Sequence, residues 1–276
     1  MRYPIRVFSD LHLGNSACLI KRVEDLKPLL KGAGSVIFNG DTWQELIVDP
    51  EEKSKKLRDE LEELCESLDA DAYFLPGNHD PSSGEEYFYE LLEGQIVIFH
   101  GDVVYPEVSP WSAYYLEKKD EIDLLIRNEL KEDATIQERY ELAHKVVQAM
   151  KPEKRNLKYH SKLHYYLNIF WPLKRFVALL NVKRSSHKVT LQFCCKYFPK
   201  AKIVIYGHFH TPNFRRENDR FLINTGAFMS GFSSFFCEIQ SDKVVVFKVN
   251  PCLDHGWSAS KMESVNISDS SMKKSH

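Results

Sequence analysis

The sequence predicts a layered α/β fold, and three observations carry that prediction. Five short runs rich in Val, Ile, Phe and Tyr recur along the chain, and each ends in a polar loop. The runs are apolar almost throughout rather than alternating, as strands buried on both faces should be. A helical segment separates the second run from the third, and strand–helix–strand order belongs to layered α/β architectures.

In chain order, IRVFSD ends at Asp10, SVIFNGD at Asp41, and AYFLPGNHD at Asn78 and His79. QIVIFHGD ends at His100, and KIVIYGHFH ends at His208 and His210. Residues 51–68 place Leu57, Leu61, Leu64 and Leu68 on one helical face. After residue 221, FLINTGAF, SFFCEIQ and KVVVFKVN read as further strands, with Ser241-Asp242 turning a hairpin between the last two. The Ser- and Lys-rich tail from 258 to 276 reads as flexible.

Residues 105–200 break this pattern. About 117–150 is acidic, amphipathic and helical. The stretch 154–188 holds nine Lys or Arg and no Asp or Glu, interleaved with Tyr159, Tyr165, Tyr166, Phe170, Trp171 and Phe176. Pro172 should divide its helix. The region reads as a helical insertion forming a lid over the strand ends.

Composition sets limits. At 276 residues, with 43% hydrophobic and 28% charged, the chain buries a real core and is not disordered. A net charge of -2 argues against a protein held wholly on a polyanion. Neither a secretory leader nor a run of about 18 apolar residues is expected. The six cysteines form no Cys-x-x-Cys pair, so they read as reduced thiols of a cytoplasmic protein.

The chemistry lies in the loops. Asp10 and His12 are two apart, so both side chains point to one side of an extended end. Such a pair alone is commonplace. Five loops of this kind are not, and ligands of α/β sheets bind at the carboxyl ends of strands. The donors are carboxylate, amide oxygen and imidazole without thiolate, a set suited to Mn, Fe, Co or Zn.

The order DLH, GD, GNHD, HGD and GHFH resembles the calcineurin-like metallophosphoesterase superfamily, over about 1–104 and 201–250. The resemblance implies a four-layer sandwich of two mixed β-sheets flanked by helices. One domain would span 1–257, with the 105–200 insertion inside it. It implies two divalent ions, with Mn²⁺ expected. Asp10, His12 and His210 would hold one ion, and Asn78, His100 and His208 the other. Asp41 would bridge both, and His79 would sit beside the substrate phosphate. Two such ions lower the pKa of a shared water, and the hydroxide attacks phosphorus. His79 would neutralise phosphoryl charge or donate a proton. Asp80 either orients His79 or caps the turn. Many members carry an acid three residues after the bridging Asp, where this chain has Gln44.

The substrate reading rests on the insertion. GDTWQEL and GNHD differ from the GDYVDRG and GNHE of protein phosphatases. The apolar, basic WPLKRFVALLNVKRSSHK is similar in composition to the lid of UDP-2,3-diacylglucosamine pyrophosphatases, enzymes of lipid A synthesis. This implies an acylated nucleotide-sugar as substrate, phosphate contacts from Lys183, Arg184 and Lys188, and peripheral contact with the inner membrane surface. No protein partner is expected. The segment also fits a helix packed on its own core, or a nucleic-acid surface. A soluble phosphodiesterase or nuclease and a non-enzymatic scaffold stay open.

Overall fold

The structure is a computed structural model that describes residues 1–45, 50–150, 173–252 and 256–267. By contacts, the chain divides into Met1–His100 with Phe198–His276, and Gly101–Tyr197.

Among the described residues, the first unit contains all the strands. They are β1 (Ile5–Phe8), β2 (Ser35–Asn39), β3 (Asp71–Leu75), β4 (Phe88–Leu91), β5 (Ile96–Phe99) and β6 (Ile203–Tyr206). They continue with β7 (Asn213–Glu217), β8 (Arg220–Asn224), β9 (Phe235–Ile239), β10 (Lys243–Pro251) and β11 (Trp257–Asn266). One sheet has the order β11-β10-β9-β1-β2-β3 and the other β4-β5-β6-β8-β7. In the first, β1, β2 and β3 are parallel and the remaining pairings antiparallel. In the second, β5, β6 and β8 are parallel and both edges antiparallel. These are two mixed sheets flanked by helices, as the family resemblance implies.

The apolar runs explain the layering. Successive side chains of a strand point to opposite faces. Ile5, Val7, Ile37 and Leu75 therefore meet Ile96, Ile98, Ile203, Ile205 and Ile223 of the other sheet in one buried cluster. Their alternates Phe8, Val36, Phe38 and Phe74 turn the other way. They pack with Leu29 and Leu30 of α1 (Lys27–Leu30) and with Leu61, Leu64 and Cys65 of α2 (Pro50–Ser67). Leu57 and Leu68 pack against the same cluster. Because both faces are covered, the central runs are mainly apolar until they reach the loops; Arg6 of β1 is an exception, and its guanidinium pairs with Glu238 of β9 at 2.9 Å.

The second unit is helical: α3 (Ala113–Glu117), α4 (Lys119–Glu129), α5 (Ile136–Met150) and α6 (Leu173–Tyr197). Ser112 caps α3 by accepting the Tyr115 N–H at 3.0 Å, the expected role of a serine at that position. Helix α5 buries Tyr140, Ala143, Val146, Val147 and Met150 along one side. Its Arg139 donates to the Val103 carbonyl at 2.7 Å and lies over the Phe193 ring of α6. The run 154–172, with Tyr159, Tyr165, Tyr166, Phe170, Trp171 and Pro172, lies outside the described residues.

One expectation is corrected. Residues 258–266 are not a loose tail but the body of β11, paired with β10 from Trp257↔Pro251 to Asn266↔Lys243. Most of its side chains are exposed, so its composition is polar. The backbone ladder, not burial, holds it. Residues 268–276 lie outside the described residues. None of the six cysteines forms a disulfide.

Leu61→Ala should destabilise the first unit by about 2–5 kcal/mol, whereas Glu63→Ala, at an exposed position of the same helix, should stay within about 0.5 kcal/mol. Urea unfolding followed by circular dichroism checks both.

Candidate metal centre

The loops at the strand ends adopt a backbone that their residues ordinarily avoid. Asp10, His12, Asp41, His208 and His210 all have positive φ, between 52° and 68°. Such conformations persist in non-glycine residues only where the surroundings enforce them. Here the loops lock one another. The Asp10 N–H donates to the Gly40 carbonyl at 3.1 Å, and the His12 N–H donates to the Asp41 carbonyl at 2.8 Å. The Gly207 N–H donates to the His100 carbonyl at 2.8 Å, and the His208 N–H donates to both Asp10 carboxylate oxygens. Two glycines make the approach feasible. Gly40 has φ +74°, and a Cβ there would lie 2.4 Å from the His100 ring. A Cβ on Gly207 would lie 2.2 Å from Asp10 Oδ2.

The result is two overlapping groups of donor atoms. Asp10, His12, Asp41 and His210 each bring one atom within 4.8 Å of the others, and so do Asp41, His100 and His208. Asp41 belongs to both. His210 Nε2 is 3.2 Å from Asp10 Oδ1, and His12 Nε2 is 3.0 Å from His210 Nε2. His100 Nε2 is 3.4 Å from Asp41 Oδ1. Asn78 Oδ1 is buried with no hydrogen-bond partner among the described residues. A buried acceptor left in that state is costly unless a cation or donor meets it. The residues present fit a pair of divalent ions.

A surrounding layer orients the donors. The His100 Nδ1–H donates to the Asn39 carbonyl at 3.0 Å. In the neutral ring this directs the Nε2 lone pair toward Asp41, as a metal ligand requires. Asn224 donates to the Gly207 carbonyl and fixes the His208 loop. Asp80 accepts the N–H groups of Asp41, Thr42 and Gly77 at 2.8, 2.6 and 2.9 Å. It is a turn-fastening residue. The side chain that reaches His79 is Gln44, 2.9 Å from His79 Nδ1 and 2.7 Å from His12 Nδ1.

Burial shapes the electrostatics. Asp10, His12, Asp41, His100 and His208 are buried, while His79 keeps 39% of its side chain exposed and His210 24%. The site therefore opens toward solvent on the His79 and His210 side. Burial alone would raise the Asp41 carboxyl, but His100, His79 and His12 outweigh it and hold it well below the usual carboxylate range. Burial drives the His12 imidazole well below its usual 6.5, aided by His210, His79 and His100 and opposed by Asp41.

The structure thus gathers Asp10, His12, Asp41, His79, His100, His208 and His210 around one centre, with Asn78 next to His79 in the same loop. Lys183, Arg184 and Lys188 lie on α6 in the other unit, where Arg184 and Lys188 are exposed. Sequence reading did not find Asn39 or Asn224. Both are polar residues that follow three apolar residues at a strand end, one and two positions before a glycine, which is the signal that marks them.

The calcineurin-like phosphoesterase family profile matches residues 3–212. No curated protein sequence matches the chain. Among solved structures, Vps29 from Chaetomium thermophilum is similar at 13% identity and a TM-score of 0.45, covering 96% of this chain and 98% of that one. A dimetal phosphatase from Danio rerio is similar at 10% identity and a TM-score of 0.47, covering 96% and 98%. At these scores the likenesses carry no functional weight.

Three outcomes are expected. Gly207→Ala should abolish metal uptake, read by elemental analysis, because the new methyl overlaps Asp10. Asp80→Ala should cost about 1–3 kcal/mol for each N–H left without a partner, read by chemical unfolding. In metal-free protein, the unfolded chain protonates His12 near 6.5 while the folded chain resists it. Stability should therefore fall as pH drops below 6.5 and be indifferent to this group above it. An unfolding midpoint that rose on acidification from pH 7 to 5.5 would contradict this.

Proposed function

Because this chain belongs to the calcineurin-like phosphoesterase family, we propose that its centre is a dinuclear site that hydrolyses phosphate esters. The observation that carries the reading is Asp41, whose carboxylate belongs to both donor groups at once. Asp10, His12 and His210 would hold one ion, Asn78, His100 and His208 the other, and Asp41 both. Divalent metals there would supply an activated water and charge neutralisation for the phosphoryl group. Mn²⁺ is our preferred metal, and Fe, Zn and Co suit the donors equally.

The protein's own groups do the rest. Asp80 and the crossed loop bonds hold the donors before substrate arrives, which removes reorganisation from the reaction itself. His79 sits on the open side, with Nε2 3.9 Å from Asp41 Oδ2. There it can donate a hydrogen bond to a phosphoryl oxygen.

For the substrate, we favour the pyrophosphate bond of an acylated nucleotide-sugar such as UDP-2,3-diacylglucosamine. On α6, Val177 and Leu180 are exposed at 47% and 37%, and Arg184 and Lys188 are exposed on the same helical stripe. An apolar end followed by cations supports a ligand with acyl chains and phosphates. Among the described residues no helix is long and apolar enough to cross a membrane, so contact with a lipid surface would be peripheral.

Asp41→Asn should remove both ions and take hydrolysis of bis(p-nitrophenyl) phosphate to background. His79→Asn should keep the ions and lower kcat by roughly 10²–10³-fold. Release of UMP from UDP-2,3-diacylglucosamine with Mn²⁺ tests the substrate. Good turnover of a soluble phosphodiester without any UMP release would reject the lipid reading and leave phosphoester hydrolysis standing.

A further inference from the structure

Gln44 touches two imidazoles through one amide. Its nitrogen end lies 2.7 Å from His12 Nδ1 and its oxygen end 2.9 Å from His79 Nδ1. An amide has one accepting and one donating end, and its hydrogen-bond partners decide which end faces which way. A half-turn of the amide exchanges the ends without moving either ring.

The donor group decides the choice. His12 faces the centre through Nε2, 3.8 Å from Asp41 Oδ2 and 3.9 Å from Asp10 Oδ1. To ligate through Nε2, His12 must carry its proton on Nδ1, and that N–H must meet the amide oxygen. The amide NH₂ then faces His79 Nδ1, which has to accept. We infer that Gln44 is a positioning residue that couples ligation by His12 to the tautomer of His79, fixing neutral His79 with its proton on Nε2, toward the open site. This rests on the two-metal reading above and deepens it.

The consequence is chemical. A neutral imidazole with Nε2–H offers a hydrogen bond to a phosphoryl oxygen and keeps its proton, because surrendering it would leave an imidazolate. His79 therefore stabilises charge by hydrogen bonding instead of protonating the leaving group. A carboxylate at position 44 would accept from both rings and donate to neither, forcing the His79 proton onto Nδ1. Gln44→Glu is thus the informative variant, since it keeps the size and both contacts.

The test is ¹⁵N NMR of the zinc-loaded full-length protein, with His79→Asn used to assign the ring. Zinc content near two per chain and a wild-type His79 protonated at Nε2, shifting to Nδ1 in Gln44→Glu, is the expected result. The variant should retain zinc while kcat falls about 10–100-fold. Two bound zinc ions with wild-type His79 protonated at Nδ1 would overturn this inference alone. Zinc content near zero would overturn the two-metal reading, and this inference with it.

Discussion

Burial of negative charge is the constraint on which the structure turns. Asp10 and Asp41 are fully enclosed, and among the described residues no lysine or arginine pairs with either. A carboxylate in such a place is strongly unfavourable unless cations or many donors meet it. The histidines supply only part of that compensation, since His12 resists protonation. Divalent ions would complete it. The centre is therefore suited to cations held by several loops at once.

That demand explains features of the fold that would otherwise be faults. Five donors sit at positive φ, each a local cost of about 1–3 kcal/mol. The β1, β2 and β3 ends of one sheet and the β5 and β6 ends of the other deliver these loops to one point. The apolar cluster between the sheets keeps the ends in register. Asn39 ties both sheets together beneath the site, donating to Ser9 and Phe99 while its carbonyl receives His100. Rigid strands with strained loops give precise donor placement, which a flexible loop would not.

Much of this was legible in the sequence. Fully buried strands such as Ile96–Phe99 carry an unbroken apolar signal, and the polar residues that end them stand out for that reason. Helix α2 was legible because its leucines keep helical spacing. Edge strands β4, β7 and β11 were not, because Asn213–Glu217 and Trp257–Asn266 are held by backbone ladders and carry little apolar burial. Gln44 marked a departure from the family pattern, but its bridge between His12 and His79 depends on two loops meeting in space. Asp80 had two readings that only its three N–H partners could separate. The basic and aromatic composition of the insertion names a chemistry without naming a geometry.

The most direct test is where metal binds. Crystals loaded with Mn²⁺ or Zn²⁺ should give two anomalous scattering peaks per chain. One should lie among Asp10, His12 and His210 and the other among Asn78, His100 and His208, with an Asp41 oxygen reaching each. A single peak, or two peaks of which Asp41 touches only one, would contradict the account.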